Sequence, residues 1–125
     1  MKKFLVLVAL LITCLVVGCV GEVRTYTDSG QVVDIGINQE FVIALGSNPT
    51  TGYRWQESHD ENMLELTESK YEMGTGAKEG VVGAGGIEYF QFKALKRGKT
   101  EITIVYKRPW EEESLEQKVF TVNIK

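Results

Sequence analysis

Histidine and cysteine are the residues that most often act as bases, nucleophiles and metal ligands, and this chain has few of them. It contains one histidine, His59, and two cysteines, Cys14 and Cys19, which both lie near the N-terminus. The rest of the chain therefore has neither a thiol for a catalytic dyad nor a second histidine. The Gly-x-Ser-x-Gly motif of many serine hydrolases is also absent. We predict no catalytic residues, no metal site and no cofactor, and interpret His59 as a surface residue at a strand end.

The N-terminus resembles a lipoprotein-type signal peptide spanning residues 1–18. Lys2 and Lys3 precede an almost wholly apolar stretch that ends at Gly18-Cys19. This stretch is shorter than the roughly 20 residues of a membrane-spanning helix. A plain secretory signal and a short uncleaved anchor are the alternatives. We favour lipidation of Cys19, because the cysteine stands where the apolar region ends, and we expect an extracytoplasmic protein whose membrane attachment is this lipid.

Removal of the signal peptide would leave an acidic chain. Two of the 14 Lys and Arg residues leave with it, so 12 basic residues remain against 17 acidic ones, and the net charge becomes −5 with His59 neutral. This charge argues against a nucleic-acid partner, which requires a basic surface, and we expect none. A domain without disulfides must also depend on its hydrophobic core. We expect a monomer.

Residues 30–125 are predicted to form one all-β domain that follows a polar tether at residues 19–29. Apolar segments of strand length are separated by turn signals, and several show alternation of apolar and polar residues. This pattern predicts an immunoglobulin-like antiparallel β-sandwich of about seven strands, with Trp55 buried between the sheets. The predicted strands, labelled A to G, are Val32–Ile37, Phe41–Leu45, Tyr53–Gln56, Leu64–Tyr71, Ile87–Leu95, Thr100–Tyr106 and Val119–Ile124.

Strand order places three unusual loops at one end of this sandwich. In an antiparallel arrangement the connections after strands B, D and F leave from the same end. These connections contain, in order, Asn48-Pro49-Thr50-Thr51-Gly52-Tyr53, Gly83-Ala84-Gly85-Gly86 and Arg108-Pro109-Trp110. With no catalytic residues in the chain, such a cluster of loops indicates a binding surface.

The composition of the loops supports this interpretation. Pro49 restricts its own backbone and Gly52 permits a positive φ, so the B–C loop is short and stiff and loses little entropy on binding. Trp110 follows Pro109 in a polar loop, a composition typical of protein contacts. Three alternatives stay open: an ordinary B–C connection, a Trp110 that folds back over the sandwich end, and a solvated acidic run at 111–113.

Together the three segments, in this order and spacing, resemble the three-motif signature of the chagasin family, which are protein inhibitors of papain-like cysteine proteases. The resemblance covers essentially the whole domain, without departure inside the motifs. The long run Glu72–Val82 and the three glutamates after Trp110 do depart, and they leave affinity and target preference open. The resemblance implies an inhibitor whose loops enter the active-site cleft of the protease.

Specific roles follow from the resemblance. Thr50, Thr51 and Gly52 are implied to lie over the catalytic cysteine of the protease. Trp110 is implied to pack beside the catalytic histidine, in a loop shaped by Arg108 and Pro109. The stretch Gly83–Gly86 is implied to follow the opposite wall of the cleft. A second hypothesis, from the residues alone, is an immunoglobulin-like adhesion or assembly module that binds a surface protein or glycan through the same loops.

Overall fold

The computed structural model describes residues 23–74 and 85–125. The predicted signal peptide, Cys19, Gly83 and Ala84 lie outside the described residues. Within the described ranges, no helix is long and apolar enough to cross a membrane.

Two four-stranded sheets pack face to face, which confirms the predicted all-β sandwich. The strand orders are β1-β3-β6-β5 and β2-β8-β7-β4. One turn of 3₁₀ helix, Pro49–Thr51, interrupts the connection from β3 to β4. The strands are β1 (Arg24–Tyr26), β2 (Val33–Ile35), β3 (Glu40–Ser47), β4 (Arg54–Ser58), β5 (Leu64–Met73), β6 (Gly86–Ala94), β7 (Gly98–Lys107) and β8 (Glu116–Ile124).

Strand β1 lies inside the segment 19–29, which we predicted to be a polar tether. The prediction is wrong for Arg24–Tyr26, because these residues form part of a sheet. β1 pairs in parallel with β3, placing Tyr26 beside Ile43. Tyr26 is buried, and its ring meets Phe41 edge-on with 6.1 Å between the ring centroids. A strand this short has no alternation to detect, and one buried aromatic side chain holds it in place. β2 also pairs in parallel, with β8, while all other pairings are antiparallel.

The core consists of the inward-facing side chains of both sheets, as the alternation predicted. Phe41 and Phe92 stack with their ring centroids 5.6 Å apart, and both are fully buried. Burial of apolar side chains is the main stabilising contribution in a small domain without disulfides. Trp55 is only 7% exposed and belongs to this cluster, which confirms its predicted core position.

The strand registers bring the three connections of interest to one end of the sandwich. In the first sheet the last residue of β3, Ser47, and the last of β5, Met73, both pair with Gly86, the first residue of β6. In the second sheet Arg54, which begins β4, pairs with Lys107, which ends β7. We call this the loop end. It comprises the β3–β4 loop (residues 48–53), the described flanks of the β5–β6 connection and the β7–β8 loop (residues 108–115).

Candidate functional site at the loop end

Internal hydrogen bonds hold the β3–β4 loop in a compact turn. The backbone N–H of Gly52 donates to the carbonyl of Pro49 at 3.0 Å, and Gly52 has a φ of 85°, a left-handed conformation that favours glycine. The hydroxyl of Thr50 donates to Oδ1 of Asn48 at 2.6 Å, and that of Thr51 donates to the Asn48 carbonyl at 2.7 Å. Because both threonine hydroxyls are used within the loop, its shape does not depend on a partner.

The β7–β8 loop begins with a tight turn that presents a tryptophan. The N–H of Glu111 donates to the carbonyl of Arg108 at 3.1 Å, so Pro109 and Trp110 occupy the two central positions of the turn. Proline suits the first of these positions because its φ is already fixed. Trp110 is 71% exposed, so it lies outside the core, as predicted.

Contacts between the two loops join them into one surface. The indole of Trp110 lies against Gly52, where an added Cβ would be 2.7 Å from Cη2 of the ring. Nε of Arg108 donates to the carbonyl of Thr51 at 3.0 Å. The Arg108 guanidinium carbon also lies 4.4 Å from the centre of the Tyr53 ring, within cation–π range. Arg108 therefore connects the two loops through these contacts and is not merely a solvated cation.

A stack of aromatic rings connects this surface with the core. Tyr53 stacks on Tyr106 with 5.3 Å between centroids, and Tyr106 contacts Trp55 at 4.6 Å. The hydroxyl of Tyr106 accepts a hydrogen bond from the N–H of Asn48 at 3.1 Å. The indole N–H of Trp55 donates to the carbonyl of Gly46 at 2.8 Å. Sequence reasoning missed that Tyr106 supports the loop end, because in the sequence it only continues the alternation of Ile102 and Ile104.

Glu88 is a second position that sequence reasoning missed. Its carboxylate is buried in the sandwich and accepts hydrogen bonds from Nε of Arg54 and from the N–H of Trp55, both at 2.9 Å. Glu88 belongs to β6 in one sheet, whereas its partners begin β4 in the other. The carboxylate thus fixes where the β3–β4 loop enters β4. The sequence did contain a sign of this role: Glu88 lies two residues before Phe90 and therefore at an inward-facing position of the strand.

The described part of the glycine-rich motif lies where three strands come close together. A Cβ on Gly85 would be 2.9 Å from the carbonyl oxygen of Ser47, and a Cβ on Gly86 would overlap that of Glu72. The N–H of Gly74 donates to the carbonyl of Gly85 at 3.1 Å, which continues the pairing of β5 with β6 beyond the strands. Glycine is needed here so that backbone can approach backbone. The end of the motif, which leads into β6, therefore has a defined position beside the β3–β4 loop.

His59 is not the surface residue that we predicted. Its side chain is only 9% exposed, its Nδ1 lies 2.6 Å from Oε2 of Glu57, and its ring meets Phe92 edge-on. The His59 side chain can be buried because its contacts with Glu57 and with the Phe92 ring replace contacts with water. Among the described residues, no group of three or more His, Cys, Asp or Glu side chains is arranged to hold a metal ion.

Comparisons with known proteins give one family. The family model described as chagasin family peptidase inhibitor I42 matches residues 34–124. The sequence is similar to chagasin of Trypanosoma cruzi, with 32% identity over 107 residues that cover 81% of this chain and 94% of chagasin. The structure is similar to that of EhICP2, a cysteine protease inhibitor from Entamoeba histolytica, with a TM-score of 0.69, 27% identity and coverage of 85% of this chain and 100% of that one. The fold also matches PbICP-C in a complex with falcipain-2, with a TM-score of 0.61, 19% identity and coverage of 85% and 96%.

Proposed function

This chain belongs to the chagasin family of peptidase inhibitors, and we propose that it inhibits papain-like cysteine proteases by inserting its loop end into their active-site cleft. It is a cysteine protease inhibitor and not an enzyme. The proposal concerns the class of target and the manner in which the loops block it.

One observation carries the proposal: the β3–β4 and β7–β8 loops form a single preorganised surface. Arg108 binds the carbonyl of Thr51, and Trp110 packs on Gly52. Loops that already have their bound shape lose little conformational entropy when a partner docks. A large exposed aromatic residue on such a surface is typical of the residues that dominate binding energy. Both properties suit a rigid wedge that occupies a cleft.

The conformation of the β3–β4 loop also explains how a protease could be blocked without cleaving the loop. A protease binds its substrate as an extended chain, whereas Pro49–Thr51 form a 3₁₀ turn. Gly52 follows with a positive φ, and its N–H is bonded within the turn. Extending this segment for cleavage would break the backbone hydrogen bonds from Gly52 to Pro49 and from Thr51 to Asn48. The loop can therefore cover a catalytic cysteine without presenting a scissile bond in the required geometry.

In the complex that we propose, each loop has one task. Thr50, Thr51 and Gly52 lie over the catalytic cysteine, and Trp110 packs beside the catalytic histidine. The segment Gly83–Gly86 follows the opposite wall of the cleft. A protease–inhibitor interface of standard size buries on the order of 800 Å² per partner, which three loops at one end of a sandwich can supply.

The proposed setting is extracytoplasmic. Residues 1–18 would direct export, Cys19 would carry a lipid, and residues 19–23, which precede β1, would separate the inhibitor from the membrane. The inhibitor domain would act as a monomer, since its proposed binding surface is complete in one chain. Mass spectrometry of membrane-extracted protein tests the lipid, and sedimentation of the domain tests the monomer.

Protection of the catalytic thiol of the target tests the proposed mode of binding. Papain is treated with iodoacetamide in the presence of increasing amounts of the inhibitor domain, and the rate of alkylation of its catalytic cysteine is followed. An inhibitor seated over the cysteine lowers this rate in a 1:1 saturable manner. Alkylation at an unchanged rate in a saturated complex would mean that binding takes place away from the catalytic centre.

A further inference from the structure

We propose that Leu115, together with Glu112 and Glu113, extends the protease-contacting surface beyond Trp110 and directs the inhibitor to proteases with a basic side chain beside an apolar depression on the cleft rim. This inference rests on the proposed function and specifies its target class. The three-motif signature does not include these residues.

The exposure of Leu115 separates it from the other apolar residues of the described surface. Trp110 is 71% exposed and Leu115 is 69% exposed, whereas the next large hydrophobic residue, Met73, is 52% exposed. A single exposed leucine is common on protein surfaces and requires no explanation. Here, however, the two most exposed large apolar side chains among the described residues share one loop at the end of the molecule that carries the inhibitory motif.

The backbone of Leu115 is fixed relative to the rest of the loop end. Its N–H donates to the carbonyl of Tyr106 at 2.8 Å, and the hydroxyl of the same tyrosine accepts from the N–H of Asn48 at 3.1 Å. Tyr106 therefore holds both Leu115 and the start of the β3–β4 loop. A side chain presented from an anchored backbone binds with less loss of entropy than one on a freely moving loop. Leu115 thus belongs to the same preorganised surface as Asn48–Tyr53.

The residues between Trp110 and Leu115 define the chemistry of the partner. Glu111 pairs with Arg108 at 3.0 Å, whereas Glu112 and Glu113 are exposed and take part in none of the ion pairs of the described residues. Two unpaired carboxylates between two apolar side chains complement a basic side chain flanked by apolar surface. They also repel an acidic rim, so they favour some proteases over others.

A pair of leucine variants tests the apolar part of the inference. Leu115→Ser is expected to raise the inhibition constant about tenfold for a protease with a basic cleft rim. Leu95→Ser is the matched control: Leu95 is 38% exposed, its N–H also donates to a backbone carbonyl, that of Met63, and it lies at the opposite end of the sandwich. The control is expected to leave the inhibition constant unchanged. Equal melting temperatures of the two variants ensure that the comparison reports on contact.

A pair of double variants tests the charges. Glu112→Gln with Glu113→Gln is expected to slow association about threefold to tenfold at low salt and to flatten its salt dependence. Glu65→Gln with Glu101→Gln removes the same charge from exposed positions away from the loop end and controls for net charge. A papain-like protease with an acidic rim is measured in parallel, and for it the loop variant is expected to associate no more slowly than wild type.

The outcomes separate this inference from the function on which it rests. If the wild-type domain inhibits both proteases while the Leu115 and Glu112/Glu113 variants inhibit as wild type does, the inference is overturned and the proposed function stands. If the wild-type domain inhibits neither protease, both are overturned. The inference is supported if only the Leu115 and Glu112/Glu113 variants lose inhibition, and if the loss is greatest for the protease with the basic cleft rim.

Discussion

The indole of Trp110 lies so close to the Cα of Gly52 that a methyl group added to this glycine would be 2.7 Å from Cη2 of the ring. The two residues belong to different motifs and to different loops. Their contact, with the hydrogen bond from Arg108 to Thr51, converts two separate loops into one surface. The inhibitory unit is therefore the pair of loops, and changes in one loop should alter the contribution of the other.

Replacement of Gly52 by alanine should weaken inhibition strongly. The new methyl group would displace the Trp110 ring, and alanine at a φ of 85° costs about 1–2 kcal/mol in backbone strain. We expect the inhibition constant for papain to rise at least about tenfold, or ~1.4 kcal/mol. Enzyme titration with Gly52→Ala and with wild type measures the change.

Gly46→Ala is the matched control for this variant. Gly46 is the next-to-last residue of β3, has no positive φ, and an added Cβ there would meet no atom within 4 Å. The Gly46→Ala variant should therefore inhibit papain as strongly as wild type does. Wild-type inhibition by Gly52→Ala would contradict the tight contact between the loops.

Trp110→Ala should weaken inhibition without unfolding the domain. Because the side chain is 71% exposed, its removal leaves the core intact, while the binding energy lost should be about 2–4 kcal/mol. Trp55→Ala should instead lower the free energy of unfolding by about 3–5 kcal/mol, since Trp55 is only 7% exposed. Inhibition assays combined with urea unfolding measure both. A loss of stability by Trp110→Ala as large as its loss of inhibition would assign Trp110 to the core.

Arg108→Lys should weaken inhibition about fivefold to twentyfold, although the positive charge is retained. Lysine lacks the planar guanidinium that bonds to Thr51 and lies over Tyr53 at the same time. The ion pair with Glu111 is partly exposed and worth little, so Glu111→Gln should change inhibition less than Arg108→Lys does. Inhibition constants of the two variants, with Arg97→Lys at an exposed position as control, provide the comparison. Equal inhibition by Arg108→Lys and wild type would show that charge alone matters at this position.

Glu88→Gln should lower the free energy of unfolding by about 1–3 kcal/mol. The neutral amide can still accept from the N–H of Trp55, but it loses the ion pair with Arg54. The loss is limited because the Arg54 side chain is 51% exposed and can be solvated instead. Urea unfolding measures the change, with the exposed Glu101→Gln as control. Unchanged stability of Glu88→Gln would mean that this carboxylate does not hold the two sheets together.

Much of the fold could be predicted from the sequence because strands have a simple signal. Alternation around Phe92 and Phe120 reflects one face in the core and one in water, and it located the strands to within a few residues. The order of strands then implied that the motif loops share one end, which the registers confirm. Strand β1 was missed because three residues carry no period, and its place depends on the burial of Tyr26.

The ties inside the site could not be predicted, because they depend on distances between residues far apart in the chain. Nothing in the sequence around Arg108 shows that its Nε reaches the carbonyl of Thr51, or that its guanidinium lies over Tyr53. The role of Glu88 likewise requires a partner in the other sheet. The contacts of the motif loops with a protease, and the positions of Gly83 and Ala84, stay predictions.

Titration of papain with the inhibitor domain tests the central claim most directly. Residual peptidase activity is measured at several substrate concentrations while the domain, beginning at residue 20, is added to a fixed amount of enzyme. We predict tight, competitive inhibition with one inhibitor per active site, with the domain recovered uncleaved. Full peptidase activity at micromolar concentrations of the domain, or cleavage within Asn48–Tyr53 as activity returns, would contradict the account.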